Sequence, residues 1–384
     1  MPIYKTNTKK DGKQGYRVCV NYTDQFGEFK RIERRTYGAQ EAKLLEKQLM
    51  MNHKEESPQA SMTLQELFDE YIRVKKHEVR ESTADKSRRV LEYHILPDLG
   101  SKRLSKLTLP VLQKWKLSKD EQILDENTGR KLSLTTKQNI FGEFRAMLFY
   151  AVKMGYLPKN PLQVLGNFKS SIEVAKKMDY YTSSEFLQFI SAARKEAQSA
   201  EIQGNFGEWN YYTFFSIAFY TGLRKGEISA LQWNDITDEH LSVTRSISQK
   251  IKGDDRETAP KNKTSIRTLQ LPAPMIAILN EHKERCQNIP GFKTSFKVCG
   301  GERPLRDSTV QKRNKRYATL ADLKVIRIHD FRHSHASLLA NEGINIQEIA
   351  RRLGHSKVEI TWNTYSHLYP REEERAVEIL NKVK

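Results

Sequence analysis

The sequence predicts a multidomain fold that is mainly α-helical and contains small β elements. The chain has 384 residues, which is enough for two or three domains that each bury a core. Apolar residues recur with the 3.6-residue period of helices along most of the chain, and glycine or proline separates successive runs. Alternation with the two-residue period of strands is limited to the N-terminal region and two short stretches further on.

Residues 1–56 are predicted to form a small separate module of strands and one helix. Residues 16–22 alternate with the strand period, residues 24–27 supply a turn, and residues 29–35 continue with interleaved basic side chains. A helix is expected over residues 39–53. A small basic sheet backed by a helix is typical of a module that reads a DNA groove, although a solvated charged face is the commoner role of such residues.

Residues 62–168 are predicted to form an all-helical domain. Thr63 followed by Glu66 has the form of a capping box, and the apolar residues after it keep the helical period. The remaining expected features are a helix over residues 83–95, a short helical pair over 104–115, an exposed polar connection over 118–133, a helix over 134–154, the domain end at Asn160–Pro161, and a basic connector over 168–179.

Residues 180–384 are predicted to form a mixed α+β domain that is mostly helical. Thr182 with Glu185 repeats the capping-box pattern, and the strongly apolar run over 209–220 predicts a buried helix that Gly222 ends. The expected strands are residues 241–243 and 265–271, on either side of a polar, basic turn.

Three short helices are expected near the end of this domain. The first ends at Gly343, since glycine readily adopts the left-handed conformation that terminates helices. Asn345 with Glu348, and Ser356 with Glu359, have the form of capping boxes that open the second and third helices.

These linked helices carry an unusual density of cationic and hydroxyl side chains. His329 and Arg332 lie three residues apart and therefore share one helix face. His355 directly follows the second helix, and Tyr365 lies in the third. The elements are short enough for all four side chains to converge, and cations around a phenol suit a phosphodiester.

The charge balance supports a polyanionic partner. The chain has 65 basic and 47 acidic residues and a net charge of +18, which favours nucleic acid first and an anionic membrane surface second. Its three cysteines are too few and too scattered for a disulfide framework or a zinc knuckle. The sequence lacks an apolar run of about 20 residues and an N-terminal signal, so we expect a cytoplasmic protein.

Four short motifs resemble the catalytic signature of tyrosine recombinases, the phage integrase family. They are TGLRKGE at 221–227, HDFR at 329–332, LGH at 353–355 and the tyrosine of TYSHL at 365. The layout resembles integrases of conjugative transposons and temperate phages. The resemblance implies an arm-type DNA-binding domain over 1–56, a SAM-like core-binding domain over 62–168 and the recombinase catalytic domain over 180–384.

The resemblance also implies a role for each matching residue. Tyr365 would attack the scissile phosphorus to give a 3′-phosphotyrosyl link. Arg224 and Arg332 would bind the non-bridging oxygens, because a guanidinium matches phosphate bidentately. His329 and His355 would assist proton transfer and hydrogen-bond the phosphate.

Two further assignments follow from the same resemblance. Lys261, in the turn PKNKTSIRT, would protonate the leaving 5′-oxygen. Lys263 is two residues away in the same turn, and the sequence leaves the choice open, with Lys261 fitting the family pattern better. Glu227 would hold Arg224 or its neighbours.

The implied function is site-specific integration and excision of a mobile element, without a metal or ATP cofactor. The implied partners are double-stranded DNA at core-type and arm-type sites, three further copies that exchange the tail at 371–384, and an excisionase, in a bacterial cytoplasm at the nucleoid. The alternatives are a non-catalytic regulator on a recombinase scaffold and a chromosome-dimer resolvase. Every motif is filled, which disfavours the first, and the N-terminal module disfavours the second.

Four aromatic or histidine residues have simpler interpretations. His329 and His333 form an i,i+4 pair that could ligate zinc, but neither a carboxylate nor a cysteine stands at ligand spacing. We therefore expect His333 and His335 to be packed or supporting residues. Tyr369 is a rival nucleophile that misses the motif spacing, and Trp362 is expected to anchor the third helix in the core.

Overall fold

The structure, a computed structural model, divides into two compact units. The first comprises Met1–Val174 and the second Ala175–Lys384. The residues that it describes are 3–23, 29–52, 62–125, 127–169, 178–249, 255–258, 265–369, 377–378 and 380–382. Within these ranges the fold is mainly helical with small sheets, as the sequence predicts. None of the helices in the described ranges is long and apolar enough to cross a membrane.

The N-terminal module is a three-stranded antiparallel sheet, in the order β1-β2-β3, followed by a helix. Its elements are β1 Ile3–Lys10, β2 Lys13–Thr23, β3 Phe29–Tyr37 and α1 Ala39–Asn52. Val18 and Val20 on β2 pack with Ala42 on α1 in a small core. The sequence did not predict β1, because most of its side chains are polar and exposed and only its pairing with β2 makes it a strand. The expected turn at 24–27 lies outside the described residues.

The rest of the first unit is mainly helical, with one short hairpin. Its elements are α2 Leu64–Glu78, α3 Glu81–His94, α4 Leu96–Leu99, α5 Leu109–Glu121, β4 Ile123–Asp125, β5 Arg130–Lys131, α6 Leu134–Lys153 and α7 Pro161–Leu165, with a 3-10 turn at Leu104–Lys106. Thr63 and Glu66 form the predicted reciprocal capping box. Phe144, Met147 and Leu148 on α6 are fully buried in the core of this domain.

Two expectations about this region need correction. Residues 118–121 continue α5, so the exposed connection begins later than expected, and within it β4 pairs with β5. Asn160 caps α7 through its side chain, and Pro161 begins that helix, because a proline at the first position of a helix removes no hydrogen bond.

The core of the second unit is built around a buried helix that is rich in aromatic residues. Its elements are α8 Ser183–Ile202, α9 Trp209–Thr221, α10 Lys225–Ala230, β6 His240–Val243, β7 Ser246–Ser248, β8 Arg256–Thr258, β9 Arg267–Gln270, α11 Ala273–Gln287, α12 Asp307–Leu320, α13 Asp330–Asn341, α14 Ile346–Leu353 and α15 Val358–Tyr365. Phe215 on α9 contacts Phe189 on α8 and Phe331 on α13, with ring centroids 5.2 Å apart in both cases. These contacts fix the start of α13 on the core.

The helix starts near the end of the domain differ from the predicted ones. Asn345 caps α14 through Gln347 N–H rather than through a reciprocal bond with Glu348. The residue preceding α15 is Lys357, without a side-chain cap, so the box expected at Ser356 does not form. A capping box forms only where the helix begins directly after the capping residue. Here α15 begins after Lys357, one residue later than the sequence pattern predicts.

Candidate active site

The site begins at the turn between α9 and α10. Gly222 ends α9 in the left-handed conformation, with φ of +65°. A Cβ atom there would lie 2.7 Å from Cδ2 of His335 and 3.0 Å from Cδ2 of Leu353, so both the backbone angle and the close packing require glycine. The turn places Arg224 at the N-terminal cap position of α10.

Arg332 lies in the first turn of α13 and is almost completely buried, with 3 % of its surface exposed. Its guanidinium donates to the Gly222 carbonyl at 2.8 Å and to the Leu353 carbonyl at 2.6 Å. Burial, together with the charge of Arg224, lowers its pKa to about 9, so the side chain remains cationic at neutral pH. Its recorded partners among the described residues are neutral carbonyls, which leaves a positive charge for an anionic ligand.

Arg224 is the more accessible of the two predicted arginines, with 38 % of its side chain exposed. Its Nη1 lies 2.9 Å from Glu227 Oε1, and its Nη2 donates to the Gly354 carbonyl at 3.3 Å. The Arg224 backbone N–H also donates to Glu227 Oε2 at 2.9 Å. One carboxylate therefore fixes both the backbone and the guanidinium of Arg224.

Glu227 has a second cationic partner, Arg267 on β9, which sequence reasoning missed. Arg267 donates to both carboxylate oxygens, at 3.3 and 3.0 Å, and both side chains are buried. Burial alone would raise the pKa of Glu227, but the hydrogen bonds and charges of Arg267 and Arg224 outweigh it and lower the pKa. A signal was present: Arg267 shares the buried face of β9 with Leu269, where an arginine is unusual.

Three guanidiniums converge on the C-terminal end of α14. The last carbonyls of a helix lack intrahelical partners and carry the negative end of its dipole, so they attract cations. Consecutive carbonyls accept one bond each: Arg352 from Arg267 Nε at 2.7 Å, Leu353 from Arg332 Nη2 at 2.6 Å, and Gly354 from Arg224 Nη2 at 3.3 Å. The end of one helix thus positions arginines from three separate segments.

Gly354 makes this convergence possible. It ends α14 with a φ of +66°, and a Cβ atom there would lie 2.8 Å from Nη1 of Arg267. His355 follows, and its Nδ1 is 2.8 Å from the hydroxyl of Thr361, which fixes the ring. Burial and then the charge of Arg332 lower the pKa of His355 to about 4, so the imidazole is neutral at neutral pH.

His329 occupies the cap position immediately before α13. Burial lowers its pKa, and the neighbouring Arg332 lowers it further. Its ring meets the His333 ring edge-on, with centroids 5.1 Å apart. His329 and Arg332 therefore lie together at the start of this helix, as their spacing predicts.

Tyr365 is the last residue of α15 and is 1 % exposed. It packs against α13 and α14 in a small cluster with Ala336 and Leu353. Its hydroxyl lies 2.6 Å from Nδ1 of His333. Burial raises the pKa of this phenol, and the charge of Arg332 partly offsets the increase.

Tyr369 and Trp362 differ from Tyr365 in their surroundings. The Tyr369 hydroxyl donates to the Ile344 carbonyl at 2.6 Å, and its ring contacts Trp362. Trp362 is 53 % exposed, so the expectation that it anchors α15 in the core is wrong. The helix turns Tyr365 inwards and places Trp362, three residues earlier, on the outer face.

Lys261 and Lys263 lie outside the described residues, as do residues 371–376 of the predicted exchanging tail. The strand before the two lysines is described: β8 pairs antiparallel with β7, with Glu257 opposite Ile247. Glu257 forms an ion pair with Lys297 at 2.9 Å. This contact anchors the strand that enters the lysine turn.

Among the described residues there is no cluster of three or more histidine, cysteine, aspartate or glutamate side chains that could hold a metal ion. His333, one member of the i,i+4 pair considered above, uses its Nδ1 for the contact with Tyr365. His335 is also accounted for by packing: its Nδ1 lies 2.8 Å from the Phe219 carbonyl, and the side chain is buried.

Comparisons with known proteins agree with this architecture. The structure is similar to a Tn1549 transposon integrase fragment bound to circular intermediate DNA, with a TM-score of 0.62 and 19 % identity, covering 84 % of this chain and all of the other. It is also similar to a lambda integrase tetramer bound to a Holliday junction, with a TM-score of 0.55 and 18 % identity over 93 % of this chain and 96 % of the other. The fold is therefore that of the integrases.

Sequence relationships identify the family. Residues 180–372 match the phage integrase family, and residues 63–117 match the phage integrase N-terminal SAM-like domain. The ICEBs1 integrase of Bacillus subtilis (strain 168) is 32 % identical over 65 % of this chain. The match spans 66 % of that relative, just under two thirds of its length. The chain belongs to the phage integrase family.

Proposed function

We propose that this chain is a site-specific DNA recombinase that cuts and rejoins DNA through a 3′-phosphotyrosyl intermediate, and so integrates and excises a mobile element. The observation that carries the proposal is geometric: Arg224 and Arg332 both bind the C-terminal end of α14, and Tyr365 packs against Leu353 at that same helix end. Two guanidiniums and a phenol gathered at one helix end suit attack on a phosphodiester.

Each residue has a role that its surroundings support. The two arginines bind the non-bridging phosphate oxygens and stabilise the charge that develops on them during attack. Tyr365 forms the covalent bond to phosphorus, which conserves the energy of the broken bond, so that a 5′-hydroxyl reverses the step without a metal or ATP. His355 and His329, both with lowered pKa, act as neutral hydrogen-bonding groups at the phosphate.

Lys261 serves as the acid that protonates the leaving 5′-oxygen, with Lys263 as the alternative two residues away. Both follow β8, which Glu257 ties to Lys297. Replacing each lysine separately with alanine decides between them. The variant that lacks the acid should recover cleavage on a substrate with a 5′-bridging sulfur, because a thiolate leaves without protonation.

The partners follow from the same chemistry. Double-stranded DNA binds at core-type sites through the helical and catalytic domains and at arm-type sites through the β-sheet module of residues 1–56. Four copies act together with exchange of the C-terminal tail, and an excisionase directs excision, at the nucleoid of a bacterial cell. A non-catalytic regulator is the less favoured alternative, since arginine, histidine and tyrosine all occupy the motif positions.

A suicide DNA substrate that carries the ends of the element tests the nucleophile. The wild-type protein should form a covalent adduct, and peptide mapping should place the junction at Tyr365. Tyr365→Phe should abolish the adduct, whereas Tyr369→Phe, the matched control four residues away, should retain it. A wild-type protein without an adduct, or an adduct that survives Tyr365→Phe, would refute the assignment.

The same assay tests the remaining chemistry and the domain roles. Cleavage should persist in EDTA, and activity that disappears with EDTA and returns with zinc would contradict the metal-free mechanism. Deletion of residues 1–55 should spare cleavage at core sites and weaken binding to distal repeats. Unchanged binding at those repeats would refute the arm-binding role.

A further inference from the structure

The hydroxyl of Tyr365 has one recorded hydrogen-bond partner among the described residues, and it is a histidine outside the four motif positions. Nδ1 of His333 lies 2.6 Å from that oxygen, and the two rings are tilted with centroids 5.8 Å apart. Tyr365 is almost completely buried, so water does not compete for this contact. His333 therefore touches the atom that the proposed reaction requires to lose a proton.

His329 is the other candidate for this proton, and the described contacts do not favour it. It meets the ring of His333 at 5.1 Å, and it has no recorded hydrogen bond to Tyr365 within the described residues. His355 binds Thr361 through Nδ1. Of the three histidines around the site, His333 alone is in hydrogen-bond contact with the phenol in the described part of the chain.

The protonation states of the pair suit proton transfer towards His333. Burial, followed by the charge of His329, lowers the pKa of His333 to about 4, so the imidazole is neutral and can accept a proton at neutral pH. Burial raises the pKa of Tyr365 above the ordinary value of about 10. A phenol of this kind does not ionise unaided at neutral pH and needs a base within hydrogen-bond reach.

The backbone couples this base to the site that binds the phosphate. His333 directly follows Arg332 in the first turn of α13, and the charge of Arg332 is one of those that lower the pKa of His333, so the two groups lie within electrostatic reach of each other. That turn is well anchored. Asp330 accepts from the Arg327 backbone N–H at 2.9 Å, and Ser334 accepts from the Tyr181 backbone N–H at 2.9 Å.

We propose that His333 is a catalytic residue that accepts the Tyr365 proton through Nδ1 as the phenol oxygen attacks the phosphorus. The O–H bond of Tyr365 breaks, an N–H bond forms on His333, the new O–P bond replaces the bond to the 5′-oxygen, and the general acid protonates that oxygen. On rejoining, the imidazolium returns the proton to the departing phenolate. The proposal rests on Tyr365 as the proposed nucleophile.

The charges around His333 disfavour a long-lived imidazolium. On its own helix and the preceding turn it faces His329, Arg332 and Arg327, which disfavour a second positive charge, and Asp330, which favours it. From α15 it faces only the Tyr365 phenol among the described contacts. A protonated His333 is therefore more acidic than an ordinary imidazolium and readily returns its proton to the Tyr365 phenolate.

The test measures single-turnover formation of the covalent adduct on the suicide substrate. His333→Asn places an amide oxygen near the position of Nδ1 and keeps a hydrogen-bond acceptor that cannot take up a proton. His333→Ala removes the acceptor. Both variants should cleave about 10²- to 10⁴-fold more slowly than the wild type with unchanged DNA binding. The melting temperature should be unchanged in His333→Asn and lower in His333→Ala, which leaves the buried Tyr365 hydroxyl without its partner. His240→Asn, at an exposed position on β6, is the control and should cleave at the wild-type rate.

Fluorinated tyrosine at position 365 distinguishes a base from a residue that only orients the ring. Trifluorotyrosine ionises near neutral pH, so it should restore at least about tenfold of the lost rate in His333→Asn, without accelerating the wild type to the same extent. A 5′-bridging sulfur should not restore this variant, because the defect is not at the leaving group.

Three outcomes would overturn the proposal. They are a wild-type rate for His333→Asn, faster cleavage by His333→Ala, and the same defect with tyrosine and trifluorotyrosine. The first would make the contact a positioning bond, and the second would make it a restraint on the nucleophile. Failure of the wild-type protein to form an adduct at Tyr365 would instead refute the proposed function. If His333→Ala does not fold, the cleavage rates of His333→Asn with tyrosine and with trifluorotyrosine at position 365 are sufficient to test the proposal.

Discussion

Nη2 of Arg267 lies 3.0 Å from Oε2 of Glu227, and only 4 % and 5 % of the two side chains are exposed. This buried pair connects segments 40 residues apart in the sequence. Glu227 also holds Arg224, and Arg267 also holds the Arg352 carbonyl at the end of α14. Arg267 thus positions Arg224, which we propose to bind phosphate, and the turn that contains His355, although we assign Arg267 no contact with the substrate.

We expect Arg267→Met to destabilise the protein and to impair cleavage by the molecules that remain folded. The change leaves a buried carboxylate without its main partner, which costs about 3–5 kcal/mol of unfolding free energy. Urea denaturation measures this loss. Adduct formation in urea-free buffer at low temperature measures the cleavage rate of the folded molecules. Arg194→Met is the control, because its pair with Glu281 is partly exposed and contributes at most about 1 kcal/mol. Equal losses of unfolding free energy and of cleavage rate in the two variants would contradict the positioning role of Arg267.

Arg332→Lys should slow adduct formation by about 10²- to 10³-fold while DNA affinity changes little. The guanidinium donates to the carbonyls of Gly222 and Leu353 at once, and a single ammonium cannot keep both bonds and also bind phosphate bidentately. Arg351→Lys, a largely exposed position on the neighbouring helix, provides the comparison and should retain the wild-type rate. A full rate in Arg332→Lys would show that a point charge is sufficient.

Gly222→Ala should cost more unfolding free energy than Gly155→Ala. Both glycines have positive φ, so alanine at either position adds about 1–2 kcal/mol of backbone strain. At Gly155 a Cβ atom meets nothing within 4 Å, whereas at Gly222 it meets the His335 ring at 2.7 Å. We therefore expect a further loss of about 1–3 kcal/mol at Gly222 in chemical denaturation. Similar losses at the two sites would mean that the His335 ring moves aside freely.

Stability should fall as the pH decreases from about 6.5, partly because of His335. Burial, followed by the charge of Arg352, lowers the pKa of His335 to about 3. Between these values the unfolded chain binds a proton that the folded protein does not, so the unfolding free energy decreases by up to about 1.4 kcal/mol per pH unit. His335→Gln should reduce this slope in urea titrations at pH 5–7. Ser337→Ala, another buried position on α13, should shift stability without changing the slope, and an unchanged slope in His335→Gln would contradict the expectation.

Local features of the fold were predictable where a few neighbouring residues decide them. Thr63 and Thr182 both form the capping boxes expected of them, because the bonds involve only backbone and side chains three residues apart. The box expected at Ser356 fails, and Trp362 is exposed rather than buried. Both depend on how α15 packs on its neighbours, which four or five residues of sequence do not specify.

The residues of the candidate site were predictable by type and order rather than by contact. Glycine at 222 and 354, arginine at 224 and 332, and tyrosine at 365 can be recognised from the motifs alone. The identity of Arg267 as a structural partner could not be recognised in this way, since it lies between motifs and resembles any basic residue of a strand. Its burial, which among the described arginines it shares only with Arg332, distinguishes it, and its charge does not.

The amino-acid sequence is sufficient to define the chemical groups of this protein: a basic chain with helical periodicity, two motif arginines, motif histidines and a tyrosine near the C-terminal end. Their pairing arises only when segments up to 130 residues apart meet at the end of α14, where unpaired carbonyls draw three guanidiniums together. The same packing brings α15 against α13 and places the Tyr365 hydroxyl within hydrogen-bond distance of His333, 32 residues away. Burial then sets the protonation of both groups, because desolvation depends on the tertiary neighbours of a side chain and not on its place in the chain.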